Sequence, residues 1–333
     1  MQTYMEALME KTIKTIGILT SGGDAPGMNA VIRAVTRTAI AHGIKVKGIM
    51  RGYNGLLEED IIELESKDVS DILQRGGTIL YTARCEEFMT KEGQDKGAEI
   101  CKKHGIEGLV VIGGDGSFRG ALQLSRRGIN TICVPGTIDL DIDCTDYTIG
   151  FDTAVNTAME AIDKVRDTST SHERVSIIEV MGRRAGYIAL WSGIATGAED
   201  ILITEKKNDI DEEQIIKEII LKRKIGKKHH IIVNAEGIGH SYEMAQRIEA
   251  ATGIEARATI IGYIQRGGSP TCIDRVYASA MGALAAELLY KGESNQVVAH
   301  HEGEFMSYDI EKALSMDKEI DKFIYNMSKK LSR

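Results

Sequence analysis

The sequence predicts an α/β protein of two doubly wound, three-layer (αβα) lobes with mainly parallel sheets. Three observations carry that reading. Short apolar, β-branched runs recur along the chain and are continuous rather than alternating, as strands buried on both faces are. Most of them lead through glycines into a segment with helical spacing of its apolar residues. At 333 residues the chain is too long for one ordinary domain and comfortable for two.

In chain order, residues 15–20 read as the first strand, 21–27 as its turn, and the apolar-periodic stretch through Ala41 as a helix. Residues 46–50 form a strand and 68–73 a helical turn. The run 108–112 is a buried strand, followed by the turn 113–117 and a helix to about Arg126. Residues 131–134 are a strand ending at Pro135-Gly136-Thr137, and 152–166 a long helix. Strands follow at 175–180, 201–204, 230–233 and 257–261, separated by helices at 184–194, 211–224 and 241–251. Helices at 274–290 and 317–331 close the chain. Residues 1–13 mix Glu6, Glu10 and Lys11 with apolar residues, which suits a short helical extension and not a signal peptide.

Composition narrows the function. The net charge of −8 supplies no basic excess for a nucleic-acid surface. A phosphorylated ligand therefore needs local positive charge, and arginines beside glycine turns become informative. The five cysteines are dispersed, without metal-type spacing, and read as reduced thiols of a cytoplasmic protein. No apolar stretch approaches the roughly 18 residues that span a membrane.

Three glycine turns carry the chemistry. Thr20-Ser21-Gly22-Gly23-Asp24-Ala25-Pro26-Gly27-Met28-Asn29 places small residues between a strand and a helix start, where backbone N–H groups and the positive helix end receive an anion. Val111-Ile112-Gly113-Gly114-Asp115-Gly116-Ser117 repeats the arrangement, and Asp115 adds a carboxylate able to hold Mg²⁺ bridging phosphate oxygens. Asp115 also suits a plain helix cap. Pro135-Gly136-Thr137-Ile138-Asp139-Leu140-Asp141 sends two carboxylates out of one strand end. One can take the proton of an attacking hydroxyl while the other serves metal or orientation, which is most of what phosphoryl transfer asks of a protein. Arg84, Arg174, Arg183, Arg257 and Arg266 read as arginines at loop starts, where guanidinium forks suit phosphate.

Together with RGGT, DYTIGFDTA, DTSTSHERV, EVMGR, RATIIG and IQRGGSP in order, these motifs resemble the bacterial ATP-dependent 6-phosphofructokinases from about Lys14 to Leu289. The resemblance implies a larger ATP-binding lobe of residues 1–150 plus about 265–313. A smaller sugar-phosphate lobe takes about 151–264 plus 314–333, with the active site in the cleft between them. It implies Asp139 as base for the sugar 1-hydroxyl, with Thr137 and Arg183 stabilising the moving phosphoryl group and Asp141 assisting. ATP and its Mg²⁺ would lie against Gly23, Arg84, Cys85, Gly114, Asp115, Gly116 and Ser117, the metal on Asp115. Fructose 6-phosphate would meet Thr137, Ile138, Asp139, Arg174, Met181, Gly182, Arg183, Glu236, Arg257, Tyr263, Ile264, Gln265 and Arg266. Arg174 and Arg257 would reach across a subunit interface of a homotetramer.

The resemblance further implies an effector site for ADP or phosphoenolpyruvate at Arg33, Arg37, Arg166, Gly197, Glu199, Lys227 and Lys228. Ser66 and Ile225 stand where that family carries basic residues, which implies weakened or altered effector control. ATP rather than pyrophosphate is implied by Gly116 and Gly136, where pyrophosphate users carry Asp and Lys. Leu140 replaces an Asn, Tyr263 a His, Cys85 an aromatic residue and Met89 a basic one. These departures keep open a longer acceptor such as sedoheptulose 7-phosphate, a pyrophosphate donor, or a non-catalytic paralogue that senses nucleotide or sugar phosphate.

Overall fold

The computed structural model describes residues 13–331. The helical extension expected over 1–13 therefore lies, except for Ile13, outside the described residues. Along the chain run β1 (Thr15–Thr20), α1 (Met28–Ala41), β2 (Lys45–Ile49), α2 (Gly52–Leu57), β3 (Ile61–Leu64), α3 (Lys91–Lys103), β4 (Gly108–Gly113), α4 (Asp115–Ser125) and β5 (Asn130–Pro135). Then come α5 (Phe151–His172), β6 (Val175–Val180), α6 (Tyr187–Thr196), β7 (Asp200–Leu202), α7 (Glu212–Lys224), β8 (His230–Ala235), α8 (Ser241–Thr252) and β9 (Ala256–Ile260). The chain finishes with α9 (Cys272–Tyr290), β10 (Gln296–His301), β11 (Glu304–Asp309), α10 (Ile310–Ser315) and α11 (Lys322–Leu331).

Two compact units result. The first takes the chain up to Ile138, then Ile142–Gly150 and Gly268–Lys318. The second takes Asp139–Asp141, Phe151–Gly267 and the chain from Glu319 onward.

The first unit holds a seven-stranded sheet in the order β11-β10-β5-β4-β1-β2-β3. Its five central strands are parallel, and antiparallel β3 and β11 close the edges. Every residue of β4 is buried, as are all but one of β5 and β1. That full burial is why these strands read as unbroken apolar runs. The second unit holds a four-stranded, wholly parallel sheet in the order β7-β8-β6-β9.

Several expectations need correction. Residues 68–73 form irregular turns and no helix. The helix expected at 184–194 starts only at Tyr187, because Gly182 and Arg183 both take positive φ and the chain turns there first. The helix expected at 152–166 continues to His172. The strand expected at 201–204 ends at Leu202 and gives way to a 3₁₀ turn. The helix α3 has no sequence expectation behind it, since Gly93 and Gly97 interrupt its periodicity; Thr90 starts it by accepting the Gly93 N–H at 3.0 Å. The β10–β11 hairpin was also unforeseen. Its turn residues Glu302 and Gly303 both have positive φ, 51° and 87°, the signature of a two-residue primed turn.

Candidate active site

In the first unit the strand order reverses at β1 and β4. The chain leaves β1 toward β2 on one side and returns to β4 on the other. The carboxyl ends of such a pair form the crevice where open α/β sheets take ligands. Both glycine turns leave from it, since Thr20 of β1 pairs with Ile112 of β4. The Ser21 N–H donates to the Ile112 carbonyl at 2.9 Å. Gly113 is the point of closest approach: a Cβ there would lie 2.4 Å from the Ser21 carbonyl oxygen and 2.6 Å from Ser117 Oγ. Around Gly114 and Gly116, by contrast, a Cβ would meet nothing within 4 Å. Gly114 precedes the first turn of α4, and exposed Asp115 opens that helix. The turn thus presents free space, a helix N-terminus and one carboxylate together.

Residues that the sequence reading passed over hold this arrangement. The Thr20 hydroxyl donates to the Tyr81 carbonyl at 2.7 Å, and the Thr82 hydroxyl to the Gly22 carbonyl at 2.7 Å. The Asn29 amide donates to the Arg75 carbonyl at 3.1 Å and accepts the Ile79 N–H at 2.8 Å. These bonds staple residues 75–82 to the first glycine turn and bring exposed Arg84 and half-buried Cys85 with them. Asn29 lies inside a quoted motif, so a signal was available. Tyr53 had none: from α2 it stacks on Phe88 at 4.1 Å and donates its hydroxyl to the Ser117 carbonyl at 2.7 Å.

In the second unit the chain leaves β6 toward β7 and β8 on one side and returns to β9 on the other, and several residues expected to meet the sugar phosphate follow the carboxyl ends of β6, β8 and β9. Met181, Gly182 and Arg183 follow β6, Glu236 follows β8, and the 3₁₀ turn Gly262–Arg266 follows β9. The Met181 N–H donates to buried Gln265 Oε1 at 3.2 Å, and the Arg183 N–H to Glu236 Oε1 at 2.5 Å. Tyr263 and Ile264 are largely exposed.

Asp139 belongs to this unit and is only 5% exposed. Its carboxyl is pushed up to about 6, chiefly by burial and the neighbouring Asp141 carboxylate, with Glu236 adding; Arg266 and Arg183 pull the other way. Such a carboxyl is ionised at neutral pH yet far more basic than a surface aspartate. Between the two aspartates Leu140 has φ 57° and is 5% exposed. A left-handed backbone costs an L-residue with a Cβ about 1–2 kcal/mol.

The sequence matches the phosphofructokinase family profile over residues 15–289. The chain belongs to the phosphofructokinase family. It is 56% identical over 321 residues to a Clostridium botulinum (strain Loch Maree / Type A3) protein named ATP-dependent 6-phosphofructokinase, covering 96% of this chain and 100% of that one. A Caldanaerobacter subterraneus subsp. tengcongensis protein of the same name is 59% identical over 322 residues, with 96% and 100% coverage. Among solved structures, phosphofructokinase from Saccharomyces cerevisiae superposes with a TM-score of 0.84 at 32% identity, over 96% of this chain but 48% of that chain. A pyrophosphate-dependent phosphofructokinase from Marinobacter aquaeolei superposes at 0.83 with 25% identity, over 93% of this chain and 86% of that one. The phosphofructokinase fold therefore serves both donors, and donor choice has to be sought in single residues.

Three of the five arginines are not where loop starts at strand carboxyl ends would put them. Arg84 lies far along the irregular stretch between β3 and α3. Arg174 immediately precedes β6, and Arg257 is the second residue of β9. Both stand at the amino edge of the smaller sheet, separated from Arg183 and Arg266 by the length of a six-residue strand, about 20 Å. Glu255 holds the pair, 3.4 Å from Arg174 and 3.0 Å from Arg257.

The residues matched to an effector site fall in two groups. Arg33 and Arg37 lie on α1 of the first unit, where Arg37 meets the Ser70 hydroxyl at 3.4 Å. In the second unit, Arg166 donates to the Thr196 carbonyl beside Gly197, Lys227 pairs with buried Glu199, and Lys228 pairs with Glu173 at 2.6 Å. Burial alone would raise the Glu199 carboxyl, but Lys227 and the Ile231 N–H outweigh it, and the net shift is downward.

Proposed function

We propose that this phosphofructokinase transfers the terminal phosphoryl group of ATP to the 1-hydroxyl of fructose 6-phosphate in the cytoplasm. The observation that carries the reading is Asp139. It is a buried carboxyl of raised basicity, set among Asp141, Arg266, Glu236 and Arg183 at the exit of a strand. The names of the 56–59% identical relatives support it.

Asp139 takes the hydroxyl proton as the sugar oxygen attacks, and Asp141 orients it. Arg183 and Thr137 offset charge on the group in transit. Gly23, Arg84, Cys85 and Gly114 to Ser117 receive the nucleotide. Asp115 would hold Mg²⁺ there, since a single exposed carboxylate beside open space fits an ion that keeps phosphate oxygens and waters as its other ligands. Bound Mg²⁺ neutralises charge on the phosphates.

ATP is favoured over pyrophosphate by the two glycines. An Asp side chain at Gly116 would fill its open space with negative charge, and a Cβ at Gly136 would press Ile112 at 3.0 Å and Met28 at 3.1 Å. Comparing kcat/KM for fructose 6-phosphate and sedoheptulose 7-phosphate, each with ATP, GTP and pyrophosphate, tests the reading. The pair ATP and fructose 6-phosphate is expected to lead every other by at least about tenfold, near 1.4 kcal/mol of transition-state preference. Equal or faster turnover with pyrophosphate would overturn the donor assignment.

Arg174 and Arg257, at the far edge of their own sheet, serve the sugar phosphate of another copy in a homotetramer. Arg174→Ala and Arg183→Ala are each expected to lose at least about tenfold in kcat/KM. Dissociated together and reassembled, the two variants should regain activity, because some sites then combine an intact Arg183 with an intact Arg174 from a neighbour. No recovery in verified mixed oligomers would place both arginines in one chain's site.

A further inference from the structure

We propose that Leu140 is a positioning residue whose left-handed backbone, rather than its side chain, sets Asp139 and Asp141 for their work. The inference rests on the catalytic reading of Asp139 given above. In an extended strand end, residues 139, 140 and 141 would point alternately to opposite sides, with the two carboxyls on one face about 7 Å apart. A single left-handed residue breaks that alternation and re-aims both neighbours. Here that residue is Leu140, with φ 57°.

The sequence does not ease this conformation. Glycine adopts it freely and Asn tolerates it, whereas a leucine must be held there by its surroundings. The surroundings are tight: Ile138 is fully buried, Asp139 and Leu140 are each 5% exposed and Ile142 is 2% exposed. A buried apolar side chain explains why Leu is tolerated, but the conformation is what the flanking carboxyls require. Asp139 and Asp141 do influence each other, since the Asp141 charge is the second cause of the raised Asp139 carboxyl.

The two roles separate cleanly by substitution. Leu140→Ile conserves volume and hydrophobicity, but its branched Cβ makes positive φ still less accessible. Leu140→Asn sacrifices the apolar packing and accepts positive φ. If backbone geometry is what matters, Leu140→Ile loses at least about tenfold in kcat with KM for both substrates within about twofold. Leu140→Asn then stays within about threefold in kcat and melts only a few degrees below the parent, the relieved strain offsetting part of the lost packing. The opposite pattern, an active Ile variant and a crippled or strongly destabilised Asn variant, overturns the proposal and makes Leu140 a packing residue. Thermal melting needs no substrate, so a parent protein without turnover would sink the kinase reading separately, while the ranking of Tm values still judges the strain.

Discussion

Asp139→Asn is expected to lower kcat by about 10²–10⁴-fold while KM for both substrates stays within about threefold. The amide keeps the shape of the carboxyl and loses the base. Steady-state kinetics with ATP, Mg²⁺ and fructose 6-phosphate read the result, and a kcat within tenfold of the parent would remove Asp139 from the role. In the parent enzyme the carboxyl pushed up to about 6 should appear as the acid limb of kcat/KM, with activity rising through about pH 6 as the base ionises, and the Asn variant should lack that limb.

The same substitution is expected to stabilise the fold at neutral pH. The carboxyl is raised above its ordinary 3.8 in the folded state. Between about pH 4 and pH 6 the folded protein therefore holds a proton that the unfolded chain has released, and stability falls as pH rises through that window. Two pH units correspond to at most roughly 3 kcal/mol, lost in full above pH 6. Removing the buried charge should return a part of it, and the gap in Tm between Asp139→Asn and parent should close on acidification to pH 4. A variant less stable than the parent at pH 8 would contradict a burial-driven shift.

Gly113→Ala is expected to raise the KM for ATP by about 10–100-fold and to lower stability by about 1–3 kcal/mol. The added Cβ would fall 2.4 Å from the Ser21 carbonyl oxygen, which belongs to backbone and cannot swing aside. To make room, the two glycine turns must part, and the 2.9 Å bond from the Ser21 N–H to the Ile112 carbonyl must stretch. Gly116→Ala is the contrast: its Cβ enters open space in the first turn of α4, so Tm should not fall. Unchanged Tm and unchanged KM for ATP in Gly113→Ala would mean that the turns do not form a shared anion cradle.

The strand–turn–helix alternation, the doubly wound class and the glycine turns were legible in the sequence because each is encoded locally. A strand buried on both faces must be apolar throughout, and the turn that follows must be small wherever backbone approaches backbone, as at Gly113. Elements lacking a local pattern were not legible. The helix α3 carries glycines, and the segment 75–82 has no secondary structure; it is placed by Thr20, Asn29 and Thr82 through side-chain bonds to backbone.

Through-space relations were decided by the tertiary structure alone. The motif spacing marks Asp139 as a candidate base, but its raised basicity comes from burial and from charges on Asp141, Glu236, Arg183 and Arg266, most of them distant in the chain. Likewise, Arg174 and Arg183 flank one short strand and look equivalent in sequence. A parallel sheet sends them to opposite ends, because a strand of six residues is too long and too straight to bring both to one ligand.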